Sequence, residues 1–205
     1  MDTLTCAECG AVFSLSEDVL KRFPRWKPKL CLGCYKRAKP RPELNSTTEE
    51  VLDRFADGPD TGLFTDGSCE ENPGGAGGWG AVKVVRGEVV DQKHGHAEVT
   101  TSNRMELTAV IEALRMLAPG EDLTVRTDSK YCLNVATKWA SSWKRNGWTR
   151  GKKREPVENL DLVKELQELM EARPQARVEW VRGHDGSRWN EYADSLSTAY
   201  TRNRL

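Results

Sequence analysis

The sequence contains no long apolar run and no visible targeting segment. No stretch approaches the ~18 consecutive apolar residues that indicate a membrane span, and Met1 to Leu4 show neither the basic region nor the apolar core of a secretion signal. Low-complexity tracts are also missing. We therefore expect a globular, cytoplasmic protein without a membrane partner, and its 205 residues suffice for one sizeable domain and a small one.

The chain also lacks net charge, but its charges are unevenly distributed. Basic and acidic side chains number 31 each. Residues 1–44 carry nine basic and five acidic side chains, whereas residues 45–65 carry one basic and five acidic. From Ser129 to Arg154 there are eight basic residues and no acidic one. Such a local excess favours binding to a polyanion whatever the total charge is.

Four of the six cysteines form two Cys-x-x-Cys pairs that are separated by 21 residues. Without a secretion signal, metal ligation is favoured over a disulfide framework, and a redox pair or incidental thiols are the alternative. A unit this small needs a structural metal to fold. Residues 1–40, with the basic residues after their second pair, resemble small zinc-ribbon-like domains. We predict one structural Zn²⁺ bound by Cys6, Cys9, Cys31 and Cys34.

Residues 41–61 are predicted to form a linker that is partly helical. Pro40-Arg41-Pro42 opens it. Thr47 to Glu50 match a capping box, which predicts a short acidic helix that ends near Ala56, before Gly58-Pro59.

The remaining segment, residues 62–205, alternates between strand-like and helix-like periods. Its first apolar segments lie at hairpin spacing, which indicates an antiparallel meander. In chain order we predict strands at 63–65, 79–85 and from 89, a helix at 105–117, a strand at 123–128, helices at 129–139 and 157–171, a strand at 177–181 and a helix at 188–200. This order predicts an α/β domain with a mixed sheet.

Two acidic residues follow predicted buried strands. Asp66 ends the strand Leu63–Thr65, just before the Gly-rich turn Asn72–Gly78, and Asp128 ends the strand Leu123–Thr127. If these strands are parallel neighbours, both carboxylates lie in one crevice at the carboxyl edge of the sheet.

Two further acids lie on predicted helices. Glu106 lies between apolar Met105 and Leu107, where an unpaired acid is costly, and Asp194 lies one turn from Glu191, which could share its face. Converging carboxylates repel one another unless divalent cations lie between them, and oxygen ligands favour Mg²⁺, with Mn²⁺ as the alternative. The other interpretation of each acid, taken alone, is a solvated surface charge.

Six linked motifs in residues 62–205 resemble the bacterial type I ribonuclease H family. In order, they are Thr65–Cys69, Asn72–Gly74, Thr101–Leu107, Thr127–Ser129, Trp180–His184 and Asn190–Asp194. The resemblance implies a ribonuclease H-like fold, with a five-stranded mixed sheet flanked by helices. It also implies Mg²⁺-dependent hydrolysis of the RNA strand of RNA/DNA hybrids, which leaves 5′-phosphate and 3′-hydroxyl ends.

The resemblance also implies roles for the site residues. Two metal ions about 4 Å apart would activate the attacking water and stabilise the leaving 3′ oxygen. His184, in a glycine-flanked loop, would shuttle a proton or assist product release. We interpret His94 and His96 as solvent-exposed. The family's four metal-binding carboxylates correspond to Asp66, Glu106, Asp128 and Asp194.

Basic and Trp side chains of residues 138–154 are expected to contact phosphates, sugars and bases. This stretch resembles the basic protrusion with which many type I enzymes grip the DNA strand. The alternatives are a solvated surface for the charges and core packing for Trp139. Ser102 and Lys130 stand where the family usually has Asn and Gln. The predicted nucleic-acid contacts are Cys69, Asn72, Thr101, Ser102, Asn103, Lys130, Trp139, Trp143, Lys144, Arg145, Trp148, Lys152 and Lys153.

For the whole chain we predict a monomeric endoribonuclease specific for RNA/DNA hybrids. Two other functions compete with this prediction. A hybrid-binding module without activity would be expected to lack one of the carboxylates, and an integrase-like or transposase-like DNA enzyme would share only the fold. We hypothesise that the basic zinc unit adds nucleic-acid affinity or processivity, and a protein contact or a purely stabilising role is the alternative.

Overall fold

A computed structural model describes residues 3–14, 29, 31, 34, 46–183, 185–202 and 205. The chain divides into two compact units, Met1–Leu44 and Asn45–Leu205. Within the described residues, no helix combines the length and the apolar composition that crossing a membrane requires. The short amphipathic stretch between the two cysteine pairs, Ser16 to Phe23, lies outside the described residues.

The described part of the first unit is a small hairpin with cysteines at its turn. Strands β1 (Thr3–Thr5) and β2 (Val12–Ser14) pair antiparallel. The turn between them is closed by two main-chain hydrogen bonds, from Cys6 N–H to the Ala11 carbonyl (2.9 Å) and from Gly10 N–H to the Cys6 carbonyl (3.0 Å). Gly10 has a φ of +70°, which glycine adopts without a steric penalty.

The second unit contains the predicted strands and helices in the predicted order, together with a helix at residues 140–145 and two short strands at 149–150 and 155–156 that were not predicted. Its elements are α1 (Thr48–Arg54), β3 (Gly62–Cys69), β4 (Gly77–Val85), β5 (Glu88–Ala97), α2 (Ser102–Arg115), β6 (Thr124–Thr127), α3 (Lys130–Asn134), α4 (Ala140–Arg145), β7 (Thr149–Arg150), β8 (Glu155–Pro156), α5 (Leu160–Ala172), β9 (Arg177–Trp180) and α6 (Arg188–Ser197). A π-helical turn, Val135–Trp139, joins α3 to α4, and a 3₁₀ turn, Ala199–Thr201, follows α6.

Five of these strands form one mixed sheet, in the order β5-β4-β3-β6-β9. The β3–β4 and β4–β5 pairs are antiparallel, and the β3–β6 and β6–β9 pairs are parallel. The predicted five-stranded mixed sheet with flanking helices is therefore confirmed. Strands β7 and β8 pair separately as a two-residue hairpin.

Both faces of the sheet are covered by helices. Leu63 and Phe64, adjacent on β3, are fully buried and point to opposite faces, as the pleat requires. Leu63 packs in a cluster with apolar residues of α2 and α5, whereas Phe64 packs with Trp189 and Tyr192 of α6. Burial of each such side chain stabilises the fold by about 1.5–3 kcal/mol.

Helix α1 has the predicted capping box. The Thr47 hydroxyl accepts from Glu50 N–H (3.3 Å), and the Glu50 carboxylate accepts from Thr47 N–H (2.8 Å). Val51 is buried in the cluster that contains Trp189 and Tyr192. The short helix is thus part of the second compact unit, whereas the sequence suggested a linker through residue 61, because its apolar face packs on α6.

Candidate active site

Three carboxylates converge where the middle of β3 lies beside the carboxyl end of β6. One oxygen atom from each of Asp66, Glu106 and Asp128 lies within 4.8 Å of the others. Asp66 is buried, and the other two are half-buried. Three distant parts of the chain thus contribute to one acidic cluster, which we call the carboxylate triad.

Parallel pairing of β3 with β6 brings Asp66 and Asp128 together. Thr65 is in register with Thr127, and the residue that follows each of them carries a carboxylate. The predicted neighbouring placement is therefore confirmed. The expectation that Asp66 ends its strand was wrong, because antiparallel pairing with β4 continues through Cys69, opposite Gly77.

Helix α2 reaches the triad because β3 has a glycine after Asp66. A Cβ atom on Gly67 would lie 2.2 Å from the Glu106 nitrogen and 2.5 Å from the Met105 carbonyl carbon. Only glycine permits this approach of strand and helix. The Thr101 hydroxyl caps α2 by accepting from Arg104 N–H (3.3 Å), which fixes the turn that precedes Glu106.

Helix α6 brings Asp194 beside the triad, although this carboxylate is not one of the group within 4.8 Å. A Cβ on Gly80 of β4 would lie 2.5 Å from the Ala193 carbonyl oxygen, so α6 packs directly on the strand there. Burial is the main reason why the pKa of Asp66 is raised, and Asp194 raises it further by its charge and by a side-chain hydrogen bond. The structure thus places three of the four predicted carboxylates in one compact group and the fourth next to Asp66.

Burial and mutual repulsion make the cluster electrostatically costly. Burial, followed by the charges of Asp194 and Asp128, raises the pKa of Asp66 well above its usual value. Burial, followed by the charges of Asp66, Asp128 and Asp194, does the same for Glu106. Within the described residues, Glu106 Oε2 is buried without a hydrogen-bond partner. These oxygen donors fit a divalent cation, which would neutralise the repulsion and satisfy the orphaned oxygen.

The four cysteines of the first unit also converge. The sulfur atoms of Cys6, Cys9, Cys31 and Cys34 lie within 4.8 Å of one another. Hydrogen bonds from the main chain of Cys9, then of Cys31, lower the pKa of the Cys6 thiol to about 6. A thiolate at neutral pH is the protonation state that binds Zn²⁺, so this set fits a tetrahedral zinc site.

Several predicted substrate contacts surround the N-terminus of α2. The side chain of Asn72 accepts from Ser102 N–H (3.2 Å), which links the Gly-rich turn to the helix. Cys69 lies beside the Gly75 and Thr100 carbonyls, and Asn103 is exposed. This surface therefore presents polar groups next to the triad.

The Trp residues of the basic stretch lie in two different settings. The rings of Trp139 and Trp143 are 5.6 Å apart, and with Asn103, Tyr131, Arg150 and Glu158 they line a cavity of about 360 Å³. The Trp139 side chain is 39% exposed, which argues against the alternative that it packs in the core. Trp148 is not among the residues that line this cavity; like Trp143 it packs against the core cluster, and the Lys164 ammonium lies 5.6 Å from its ring centre.

The basic residues also differ among themselves. Lys144 donates to both carboxylate oxygens of Glu171 at 2.8 Å, so part of its charge is already compensated on α5. Arg145, Lys152 and Lys153 are exposed. His184 lies outside the described residues, and its role stays a prediction. His94 and His96 are exposed, as the sequence indicated.

Two residues that contribute to the site had no predicted role. The buried Ser197 hydroxyl donates to Asp66 Oδ2 (2.8 Å) and thereby orients that carboxylate. Its position three residues after Asp194, on one helical face, was the available signal. The indole N–H of Trp180 donates to the Asp128 carbonyl oxygen (2.9 Å). Trp180 is the first residue of the Trp180–His184 motif, but the motif by itself did not predict this contact.

Comparisons with known proteins agree with this arrangement. The RNase H family model matches residues 59–201. Ribonuclease H of Bordetella pertussis is 44% identical over 146 residues, which cover 71% of this chain and 92% of that protein. Ribonuclease H of Mycolicibacterium smegmatis is 48% identical over 136 residues, with coverages of 66% and 84%. The solution structure of the PFV RNase H domain has a TM-score of 0.59 at 25% identity, and the match covers 72% of this chain and 98% of that one.

The mixed sheet, its flanking helices and its central acidic cluster define a nuclease of the ribonuclease H-like fold class. With the family model matching more than half of its length and relatives above 40% identity, the chain belongs to the ribonuclease H family. The fold and the enzyme class expected from the six motifs are thereby confirmed.

Proposed function

We propose that the chain is an endoribonuclease that hydrolyses the RNA strand of RNA/DNA hybrids with two bound Mg²⁺ ions. The carboxylate triad carries this proposal, because three acids within 4.8 Å of one another need divalent cations to be stable together. When bound, the ions would lower the pKa of the attacking water and neutralise charge that develops on the phosphate.

The residues of the chain have distinct tasks in this proposal. Asp66, Glu106 and Asp128 would hold the ions, and Asp194, beside Asp66, would complete the second ion's ligands. Ser197 keeps Asp66 in one orientation through its 2.8 Å hydrogen bond. His184 would move a proton during product release. Cleavage on this pattern would leave 5′-phosphate and 3′-hydroxyl ends.

The substrate is proposed to lie across the triad and the N-terminus of α2. Asn72, Thr101, Ser102 and Asn103 would contact the two backbones, and a 2′-hydroxyl contact there would distinguish RNA from DNA. The open Trp139–Trp143 surface and the exposed cations Arg145, Lys152 and Lys153 would bind the DNA strand by stacking and charge.

Incubation with labelled nucleic acids tests the proposed reaction. We expect Mg²⁺-dependent cleavage of the RNA strand of an RNA/DNA hybrid and none of single-stranded RNA or duplex DNA, with 5′-phosphate ends on the products. Cleavage of duplex DNA would favour the integrase-like alternative. Tight hybrid binding without cleavage would favour a binding module.

For the first unit, we propose one structural Zn²⁺ on the four cysteines and a role in binding nucleic acid. The low pKa of Cys6 and the clustered sulfur atoms support the metal, and the nine basic residues of residues 1–44 support the role. Deletion of residues 1–44 should weaken hybrid binding and reduce its salt dependence. An unchanged affinity and salt slope would contradict the binding role.

A further inference from the structure

A large aromatic side chain lies exposed next to the carboxylate triad. Trp180, the last residue of the edge strand β9, is 42% exposed. It is in register with Thr127, the residue before Asp128, and the next main-chain nitrogen, that of Val181, donates to the Thr127 carbonyl (3.0 Å). Trp180 therefore lies beside the carboxyl end of β6, directly before Asp128.

The Trp180 ring is fixed by its only N–H group. Nε1 donates to the main-chain carbonyl oxygen of Asp128 at 2.9 Å. Beyond that carbonyl the chain is held by two more bonds, from Ser129 N–H to the Thr127 hydroxyl (3.1 Å) and from Cys132 N–H to the Ser129 hydroxyl (3.3 Å). The orientation of the indole ring is thus fixed by a hydrogen bond to the main chain of Asp128, a triad residue.

The exposed side chain of Lys130 lies over the Trp180 ring. The Lys130 ammonium is 4.9 Å from the centre of the Trp180 ring, within the range of a cation–π contact. Lys130 is the first residue of a helical stretch that continues to Arg145 through the π-helical turn. A cation at that end is repelled by the helix dipole, so the ring offsets an unfavourable placement. Contact with the ring therefore holds the Lys130 charge near the triad, two residues along the chain from Asp128.

We propose that Trp180 is a positioning residue with two tasks: its N–H fixes the main chain of Asp128, and its ring holds the Lys130 ammonium against a backbone phosphate of the bound hybrid. A point charge held beside the triad recognises the phosphate chain and not the base sequence. The inference deepens the proposed function and rests on it for the identity of the polyanion.

Two measurements on the full chain separate these tasks. Hybrid binding is followed by fluorescence anisotropy in EDTA at several NaCl concentrations, and cleavage by steady-state kinetics in Mg²⁺. Lys130→Gln should reduce the slope of log affinity against log salt by about 0.7–0.9, the value for one phosphate contact. It should raise KM by a larger factor than it lowers kcat. Lys130→Arg should restore the slope.

The Trp180 variants assign the two contacts. Trp180→Phe keeps a ring for Lys130 but loses the N–H, so kcat should fall several-fold while the salt slope stays that of wild type. Trp180→Leu loses both contacts and should reduce the slope as Lys130→Gln does. In the Lys130→Gln background, Trp180→Leu should cause no further loss of slope. Arg86→Gln, on the exposed turn between β4 and β5, is the charge-matched control and should change neither measurement.

An unchanged salt slope in Lys130→Gln would overturn the phosphate contact. Equal losses of slope from Trp180→Leu with and without Lys130 would overturn the role of the ring, and an unchanged kcat in Trp180→Phe would overturn the role of the N–H. If Trp180→Leu fails to fold, Lys130→Gln still tests the phosphate contact and Trp180→Phe still tests the N–H. If wild type binds the hybrid but does not cleave it, the proposed function fails while the binding slopes still test the Lys130 contact.

Discussion

At the scale of single residues, the acidic cluster is expected to make the metal-free protein sensitive to pH. The pKa values of Asp66 and Glu106 are raised in the folded state. A raised folded pKa gives stability that is fully present below the unfolded carboxyl pKa, about 4, and is lost as the pH rises through the folded value. We therefore expect the thermal midpoint in EDTA to fall as the pH rises above about 4 through these raised values.

Magnesium should reverse this loss, because a bound cation stabilises the ionised carboxylates. Thermal unfolding with and without Mg²⁺ should show a larger midpoint gain at pH 8 than at pH 5. An equal gain at both values would mean that Mg²⁺ acts elsewhere on the protein.

Replacement of Asp66 by Asn tests the same repulsion directly. The amide oxygen can still accept from Ser197, but the buried charge is gone. Asp66→Asn should raise the metal-free thermal midpoint by about 2–4 °C for each kcal/mol of relieved repulsion, and should reduce the gain from Mg²⁺. Asp91→Asn, on the exposed edge strand β5, is the matched control and should leave both unchanged. A lower midpoint for Asp66→Asn would contradict the electrostatic account.

At the scale of secondary-structure elements, the contact between β3 and α2 positions Glu106. A Cβ on Gly67 would overlap main-chain atoms of the helix, so the helix must move. Gly67→Ala should destabilise the second unit by about 1–3 kcal/mol and lower activity by more than the lost stability explains. Gly120→Ala, where a Cβ meets no atom within 4 Å but φ is +79°, controls for backbone strain alone. Chemical denaturation and hybrid cleavage measure the two effects.

Helix α1 contributes to the stability of the second unit through its cap and its packing on α6. Loss of the Thr47 hydroxyl leaves Glu50 N–H without its side-chain acceptor. Thr47→Ala should therefore lower the free energy of unfolding by about 1 kcal/mol. The same measurement on a chain that begins at residue 45 should give the same difference. If Thr47→Ala lowered the free energy of unfolding only in the full-length chain, the cap would stabilise the first unit and not the second.

Strand and helix order could be predicted from periodicity, because alternating and helical apolar patterns reflect which faces are buried. The residues at which strands end could not be predicted in this way. The sequence Asp66-Gly67-Ser68 reads as a turn, but pairing with β4 keeps it extended as far as Cys69. The packing of α1 was not predictable either, since its few apolar residues gain their burial from Trp189 and Tyr192, far along the chain.

At the scale of the whole molecule, the two units should respond separately to metal removal. A unit as small as the first is expected to need the proposed metal to fold stably, whereas the second has its own apolar clusters on both sheet faces. A zinc chelator should therefore abolish one unfolding step and leave the other at its original midpoint. Calorimetry with and without the chelator measures this, and metal analysis of the purified protein should give one zinc per chain. A single transition that shifts as a whole would contradict independent units.

The site as a whole was predictable only in part. The gathering of Asp66 and Asp128 follows from parallel pairing, and Glu106 was identifiable as an acid among apolar helix residues. The wider separation of Asp194 depends on how α6 packs on Gly80, which no local pattern encodes. The partnership of Lys144 with Glu171 and of Trp180 with Asp128 likewise depends on tertiary contacts.

The most direct test is the rate at which the Asp128→Asn variant cleaves the RNA strand of a hybrid in saturating Mg²⁺. The substitution changes no size and leaves the main-chain bond to Trp180 in place, so the fold should persist by circular dichroism. If the carboxylates hold the catalytic ions, turnover should fall by at least about 100-fold, the loss typical of removing one charge-stabilising group. A rate near that of the unaltered protein would contradict the account.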